Sequence, residues 1–134
     1  MDAELKYIGS IGTPYKTLSD CPRNVRPDGP ICTITVNEDY IEGLTGLVPE
    51  QQILILYWFD KAKRTPMIQR PGNNPDADPR GTFALRSPHR PNPIAAAVLP
   101  IVEISGNVIT VRGLDCLDGT NLLDIKPAIG FEKR

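Results

Sequence analysis

The sequence predicts an all-β fold, a sandwich or a barrel, from three observations. Its apolar segments are short and rich in β-branched residues. Gly and Pro, 25 of the 134 residues, recur between those segments and punctuate them. Helix signals are sparse: Leu44 to Gln52 has room for one turn, with Pro49 at a start position.

The elements follow in order. Leu5 to Ile11 reads as a first strand, ended at Thr13-Pro14. Residues 31–36, Ile-Cys-Thr-Ile-Thr-Val, alternate, with Thr33 and Thr35 on one face. Residues 53–59, Ile-Leu-Ile-Leu-Tyr-Trp-Phe, do not alternate. Such a run suits a strand buried on both faces, or one with a face in the core and a face in an interface. Residues 65–81 hold Pro66, Pro71, Pro75, Pro79, Gly72 and Gly81 and predict a long, polar, mobile Pro/Gly-rich loop. Thr82 to Ser87 is a short strand candidate. Residues 94–104 begin as helix or strand, with Pro100 against a continuing helix. Ile101–Ile104 and Val108–Arg112 form a β-hairpin around a three-residue turn, Ser105-Gly106-Asn107, where Gly or Asn takes a positive φ. Leu122 to Lys126 is the last strand, stopped by Pro127.

Length and composition fit one globular domain over residues 1–134, 40% apolar and 23% charged. No apolar run reaches the roughly 18 residues of a membrane helix. The acidic start, Met1-Asp2-Ala3-Glu4, is unlike a secretory signal. Cys21, Cys32 and Cys116 are odd in number and scattered, which suits free thiols in a reducing cytoplasm better than a disulfide frame or a zinc site. The net charge of -1 argues against a purely electrostatic nucleic-acid binder. The charge is nevertheless uneven. Asp60 to Arg90 carries +4 and the remainder -5, so this segment can meet phosphates or can simply be a solvated surface.

No common catalytic spacing is present: no phosphate loop, no Gly-x-Gly-x-x-Gly after a strand, no His-Glu-x-x-His. With His89 as the sole histidine, a multi-His metal site is excluded, and Ser87 lacks the strained turn of a serine nucleophile. Two segments stand out. Arg86-Ser87-Pro88-His89-Arg90-Pro91-Asn92-Pro93 is stiffened by three prolines in six residues and displays guanidiniums, an imidazole, a hydroxyl and an amide. A rigid loop bearing convergent donors loses little entropy on binding, although a structural corner with paired arginines would look the same. Leu114 to Pro127 carries Asp115 and Asp118 as acceptors around the Asp118-Gly119 turn, and Asp124 and Lys126 on one strand face. Asp/Gly clusters also simply close turns, and the ligand count is too small for a calcium loop.

Thr13-Pro14-Tyr15, the run Arg80 to Ile94 and the run Leu117 to Pro127 together resemble the TsaA-like (YaeB, TrmO) family of S-adenosylmethionine-dependent tRNA methyltransferases. Order and spacing agree from Lys6 to Ile129. The resemblance implies a small single-sheeted antiparallel β-barrel with few short helices, a homodimer in the cytoplasm, and S-adenosylmethionine bound at or near the dimer interface. It implies methylation of N6 in N6-threonylcarbamoyladenosine beside the tRNA anticodon. Two features depart from the family pattern: Ala95 where Gly is common, and an end at Arg134 where longer members continue.

Methyl transfer from a sulfonium needs positioning, water exclusion and a proton acceptor, and needs no metal. On this reading Arg86, Ser87, His89, Arg90 and Asn92 supply donors to the cofactor, with Pro91 holding their loop. Asp115 and Asp118 supply acceptors, and Phe59, Leu117 and Leu122 line the adenine slot. His89 or Asp118 is the proton acceptor, unless the proton leaves to water. Lys61, Lys63, Arg64, Arg70 and Arg80 track tRNA phosphates. Two other classes compete: a barrel binding S-adenosylmethionine or another small molecule with a different substrate, and a non-catalytic nucleic-acid barrel. The last would space aromatics along its strands, whereas Tyr57-Trp58-Phe59 are clustered.

Overall fold

The computed structural model describes residues 2–134. The strands are β1 (Gly9–Gly12), β2 (Ile31–Val36), β3 (Gln52–Trp58), β4 (Ile68–Gln69), β5 (Arg80–Gly81), β6 (Ile94–Pro100), β7 (Glu103–Ser105), β8 (Val108–Arg112) and β9 (Thr120–Pro127). Seven form one antiparallel sheet in the order β6-β3-β9-β1-β2-β8-β7, and β4 pairs with β5 as a separate ribbon. Among the described residues every helical segment is a short 3₁₀ turn.

The core is the inward face of this sheet. Ile34, Ile53, Ile55, Leu99, Ile109, Val111 and Leu122 are all fully buried there. β3 alternates: Ile53, Ile55 and Tyr57 point into the core, while Leu54, Leu56 and Trp58 are half-buried on the opposite face. The seven-residue apolar run therefore serves two surfaces, only one of which is the core. On the second surface the ion pair of Lys126 Nζ with Asp124 Oδ2, 2.8 Å, flanks β3 through the pairs Leu54–Lys126 and Leu56–Asp124.

The two ends of the strand order are consecutive in sequence. Only Ile101 and Val102 separate β6 from β7. Ile101 N–H donates to Gln51 O at 2.9 Å, and Val102 N–H donates to Thr110 O at 2.8 Å, so this short link bonds to both flanks.

Six expectations are corrected. The hairpin turn has two central residues, Gly106 and Asn107, because Ser105 pairs with Val108; Gly106 takes the positive φ, 59°. Residues 82–87 are not a strand: Thr82–Ala84 is a 3₁₀ turn, and only Arg80–Gly81 finds a partner. Thr82 is buried and its hydroxyl donates to Pro66 O at 2.7 Å, which turns the chain inward before a ladder can form. The expected turn over Leu44–Gln52 is displaced, since the 3₁₀ segment is Glu38–Leu44. The 65–81 loop is partly ordered by β4, β5 and the turn Pro71–Asn73. The first strand begins at Gly9 rather than Leu5, and the last runs longer than expected, Thr120–Pro127.

Candidate active site

A cleft of about 670 Å³ opens where the end of β3, the 3₁₀ segment after β1, the β4–β5 ribbon and the segment before β9 meet. Its floor is built by the sheet. β3 carries Tyr57 inward, and beside Tyr57 the β3–β9 register slips: Leu56 pairs with Asp124 but Tyr57 pairs with Leu122. The bulge leaves Leu123 unpaired and bends β9 next to the cleft. Tyr57 and Phe59 pack edge to face, ring centroids 5.5 Å apart.

The floor's other half is aimed by a glycine. Gly113 follows β8 with φ 87°, and a side-chain carbon there would lie 1.4 Å from Arg26 O. Only glycine admits that turn and approach. It delivers Leu114, fully buried, and then Asp115, half-buried at the cleft. The Tyr57 hydroxyl donates to Asp115 Oδ1 at 2.6 Å. Burial raises the Asp115 carboxyl above its ordinary value, although the Tyr57 hydrogen bond and the Arg86 guanidinium pull it down. Burial, then the Asp115 charge, raises the Tyr57 phenol, so this hydroxyl keeps its proton and donates. Burial pushes the Cys116 thiol up to about 12, which makes it inert.

The segment beyond is pinned to the N-terminal strand. Thr13 Oγ1 donates to Cys116 O at 2.8 Å, Thr13 N–H donates to Asp118 Oδ1 at 3.0 Å, and Lys16 Nζ meets Asp118 Oδ2 at 2.7 Å. The Lys16 and Thr13 bonds hold the Asp118 carboxyl below its ordinary value.

The polar wall is the loop Leu85–Asn92, and one amide organises it. Gln69, on β4, donates through Nε2 to His89 O at 2.7 Å and to Thr82 Oγ1 at 2.9 Å, and accepts from Ser87 Oγ at 2.7 Å. Arg90 Nη1 donates to Leu85 O at 3.0 Å and Ser87 O at 2.9 Å, clipping the loop onto itself. Lys63 N–H donates to His89 Nδ1 at 3.0 Å, which leaves the His89 Nε2 N–H as a donor. Arg64 donates to Pro91 O at 2.7 Å and lies 5.3 Å from the centroid of the Trp58 ring.

Of the sequence-predicted residues, Phe59, Lys61, Arg70, Arg86, Ser87, His89, Asp115 and Leu117 line this cleft. Lys63, Arg64, Arg80, Arg90, Pro91, Asn92, Asp118 and Leu122 stand outside its lining. Leu122 lies in the core with no exposure. Sequence reasoning missed Tyr57, which is buried beneath the lining and bonded to Asp115, and missed Gln69 and the wall formed by Leu18 and Cys21 to Asn24. The Tyr57–Asp115 bond spans 58 residues, and Gln69 belongs to no motif, so no local pattern announced either. Among the described residues, no helix is long and apolar enough to cross a membrane. Nor is there, among them, a group of three or more His, Cys, Asp and Glu able to hold a metal ion.

An antiparallel sheet bears a cleft of small-molecule size, with an apolar and acidic floor and a donor-rich wall. A family model for the tRNA-methyltransferase O N-terminal domain matches residues 10–131, and the chain belongs to that family. It is 44% identical over 132 residues to the probable S-adenosyl-L-methionine-binding protein VirR of Rhizobium radiobacter, covering 98% of this chain and 74% of that one. It is 41% identical over 123 residues to an S-adenosyl-L-methionine-binding protein of Archaeoglobus fulgidus, covering 91% of this chain and 86% of that one. Among solved structures it matches TrmO from Pseudomonas aeruginosa with a TM-score of 0.76 and 28% identity over 96% of this chain. The chain spans only 57% of that TrmO chain, and 34% of a second, longer Archaeoglobus relative.

Proposed function

We propose that the chain binds S-adenosylmethionine in this cleft and transfers its methyl group to tRNA, at N6 of N6-threonylcarbamoyladenosine beside the anticodon. The observation that carries the reading is the cleft itself, in a chain of this family: an acidic, hydrogen-bonded floor faces a wall of fixed donors. The residues fit the cofactor chemically. The cleft's volume lies within the roughly 300–1,000 Å³ of small-molecule sites. Phe59, Leu117 and Leu85 offer an apolar slot for an adenine, and Arg86 and the His89 Nε2 N–H offer donors for a carboxylate. When bound, the cofactor supplies an electrophilic methyl group on a sulfonium.

The chain's residues bind, orient and exclude water. Gln69 and Arg90 hold the loop so that Arg86, Ser87 and His89 are placed before a ligand arrives, and a preformed site loses less entropy on binding. Holding both reactants in near-attack geometry contributes roughly 7–11 kcal/mol to such a transfer. Lys61 and Arg70 at the cleft, with Lys63, Arg64 and Arg80 around it, track RNA phosphates.

Two structural details belong to the same proposal. The covalent and hydrogen-bonded link at Ile101–Val102, joining the two ends of the sheet, supports closure into a barrel. The half-buried Leu54, Leu56 and Trp58 on the outer face of β3 support a homodimer. The relatives named for binding S-adenosylmethionine favour a second reading, the same cofactor with a different methyl acceptor.

One experiment separates the readings. Calorimetry with S-adenosylmethionine tests the cofactor, and methyl transfer to tRNA carrying N6-threonylcarbamoyladenosine, read by nucleoside mass analysis, tests the acceptor. Binding with transfer is expected. Binding without transfer to this tRNA favours the second reading, and no binding removes both.

A further inference from the structure

We infer that Asp115 takes the proton released by the methyl acceptor, and that Tyr57 is the positioning residue that holds it; this deepens the methyltransferase reading and rests on it. Methylating an N–H nitrogen forms an N–C bond and breaks the sulfonium C–S bond, whose electron pair stays on sulfur. The N–H bond breaks as well, and its proton must go to a base. On this assignment it goes to a carboxylate oxygen of Asp115, and from there to water once the product leaves.

The geometry selects Asp115 by what each alternative is already doing. His89 accepts the Lys63 N–H at Nδ1, so its Nε2 carries the ring proton and donates. Asp118 has one oxygen on Thr13 N–H and the other on Lys16 Nζ, and it stands outside the cleft lining. Asp60 lines the cleft but is exposed at its rim. Of the three carboxylates Asp115 alone is half-buried, on the floor. It accepts one side-chain bond, from Tyr57, which leaves an oxygen for a ligand.

The surroundings tune it. Burial raises this carboxyl, while Tyr57 on β3 and Arg86 on the loop lower it; the other titratable groups coupled to it, Cys116, Cys21 and Tyr15, are two thiols and a phenol raised first by burial. The net effect of burial is upward, toward the working pH, where a general base is most effective. Tyr57 opposes that rise with its hydrogen bond and fixes one oxygen, so it sets both the orientation and the titration of the base.

The test uses the full chain with S-adenosylmethionine and tRNA carrying N6-threonylcarbamoyladenosine. It compares the parent, Asp115→Asn and Tyr57→Phe by cofactor calorimetry, single-turnover transfer against pH, and melting. Asp115→Asn is expected to keep cofactor affinity and lose about 10²- to 10⁴-fold in transfer rate, the usual contribution of a general base. Its rate should also lose the parent's acid limb. Tyr57→Phe is expected to move that limb to higher pH, and this shift carries the test if Asp115→Asn melts early. Parental transfer by Asp115→Asn overturns the inference. So does weakened cofactor binding with full transfer at saturation, which would make Asp115 a cofactor ligand. An unmoved limb in Tyr57→Phe removes its positioning role. Failure of the methyltransferase reading is visible separately, in a parent that does not bind or does not transfer.

Discussion

The floor and the wall of the cleft are built by different physics. The floor, Tyr57 with Asp115, rests on a fully buried sheet face and a backbone turn that only glycine permits. The wall, Leu85 to Asn92, has no ladder at all. It stands on side-chain bonds from Gln69, Arg90 and Arg64 to hydroxyls and carbonyls. A floor of this kind perturbs charge by excluding water, while a wall of this kind places donors without burying them. Separating the two lets one cleft hold a base of raised pKa beside exposed cations.

The largest effect should come from beneath the floor. Ile55 is fully buried on β3, on the same face as Tyr57. Ile55→Ala should lower stability by about 2–5 kcal/mol, the usual cost of emptying a packed aliphatic site. Denaturant unfolding measures it. A loss near zero would mean that the sheet face under the site is loosely packed and cannot be what holds Tyr57.

The wall should fail locally instead. Gln69→Leu removes two donated bonds and one accepted bond of a half-buried amide. Leaving such partners unsatisfied costs on the order of 1–3 kcal/mol. The loss should appear as faster hydrogen exchange across Ser87–Arg90 and as weaker S-adenosylmethionine binding, up to about 100-fold. Global melting should fall less than for Ile55→Ala. Unchanged exchange in the loop would show that Arg90 and the prolines suffice to hold the wall.

This division also explains what was legible in the sequence. The sheet was readable because β-branched alternation in 31–36 and 108–112 is the direct imprint of one buried face. The half-apolar outer face of β3 was readable from its unbroken run. Arg86, Ser87, His89 and Asp115 were identified from residue chemistry and family resemblance, and they do line one cleft. Gln69 was not, because a neutral amide between Ile68 and Arg70 has no signal until folding brings Ser87, His89 and Thr82 to it. The strand expected over 82–87 failed for the same reason. Thr82 has good strand propensity, yet its buried hydroxyl bonds Pro66 O and the chain turns. The arginines of the loop looked equivalent in sequence, but Arg86 lines the cleft while Arg90 binds its own loop.

A third change probes the floor's charge without disturbing its shape. The Asp115 carboxyl is raised in the fold, so its contribution to stability is full below the unfolded pKa and is lost as pH rises through the folded one. At neutral pH the half-buried carboxylate is therefore a liability. Asp115→Asn keeps an oxygen for the Tyr57 hydroxyl and removes the charge. It should melt no lower than the parent at neutral pH, with the difference closing as pH falls below the ordinary aspartate range of about 4. A melting scan across pH checks it. A variant that melts lower at neutral pH would show that the charge itself, through Arg86, holds the floor together.

The smallest effect separates the wall's structure from its charge. Lys63 contributes to the wall through its backbone, whose N–H donates to His89 Nδ1 at 3.0 Å, while its side chain is exposed. Lys63→Ala keeps that N–H, so cofactor affinity and the melting point should stay at parental values. What is lost is one exposed cation of the set proposed to track RNA. The slope of log affinity against log salt for tRNA should become shallower by about 0.7–0.9, one phosphate's share of counterion release. Lys63→Pro makes the opposite cut: it deletes the N–H as well as the charge. That variant should lose the His89 bond and weaken S-adenosylmethionine binding, as Gln69→Leu does. Paired tRNA and cofactor titrations on the two variants decide the matter. Should Lys63→Ala weaken cofactor binding as much as Lys63→Pro, the exposed ammonium rather than the backbone bond supports His89, and wall and charge are one element rather than two.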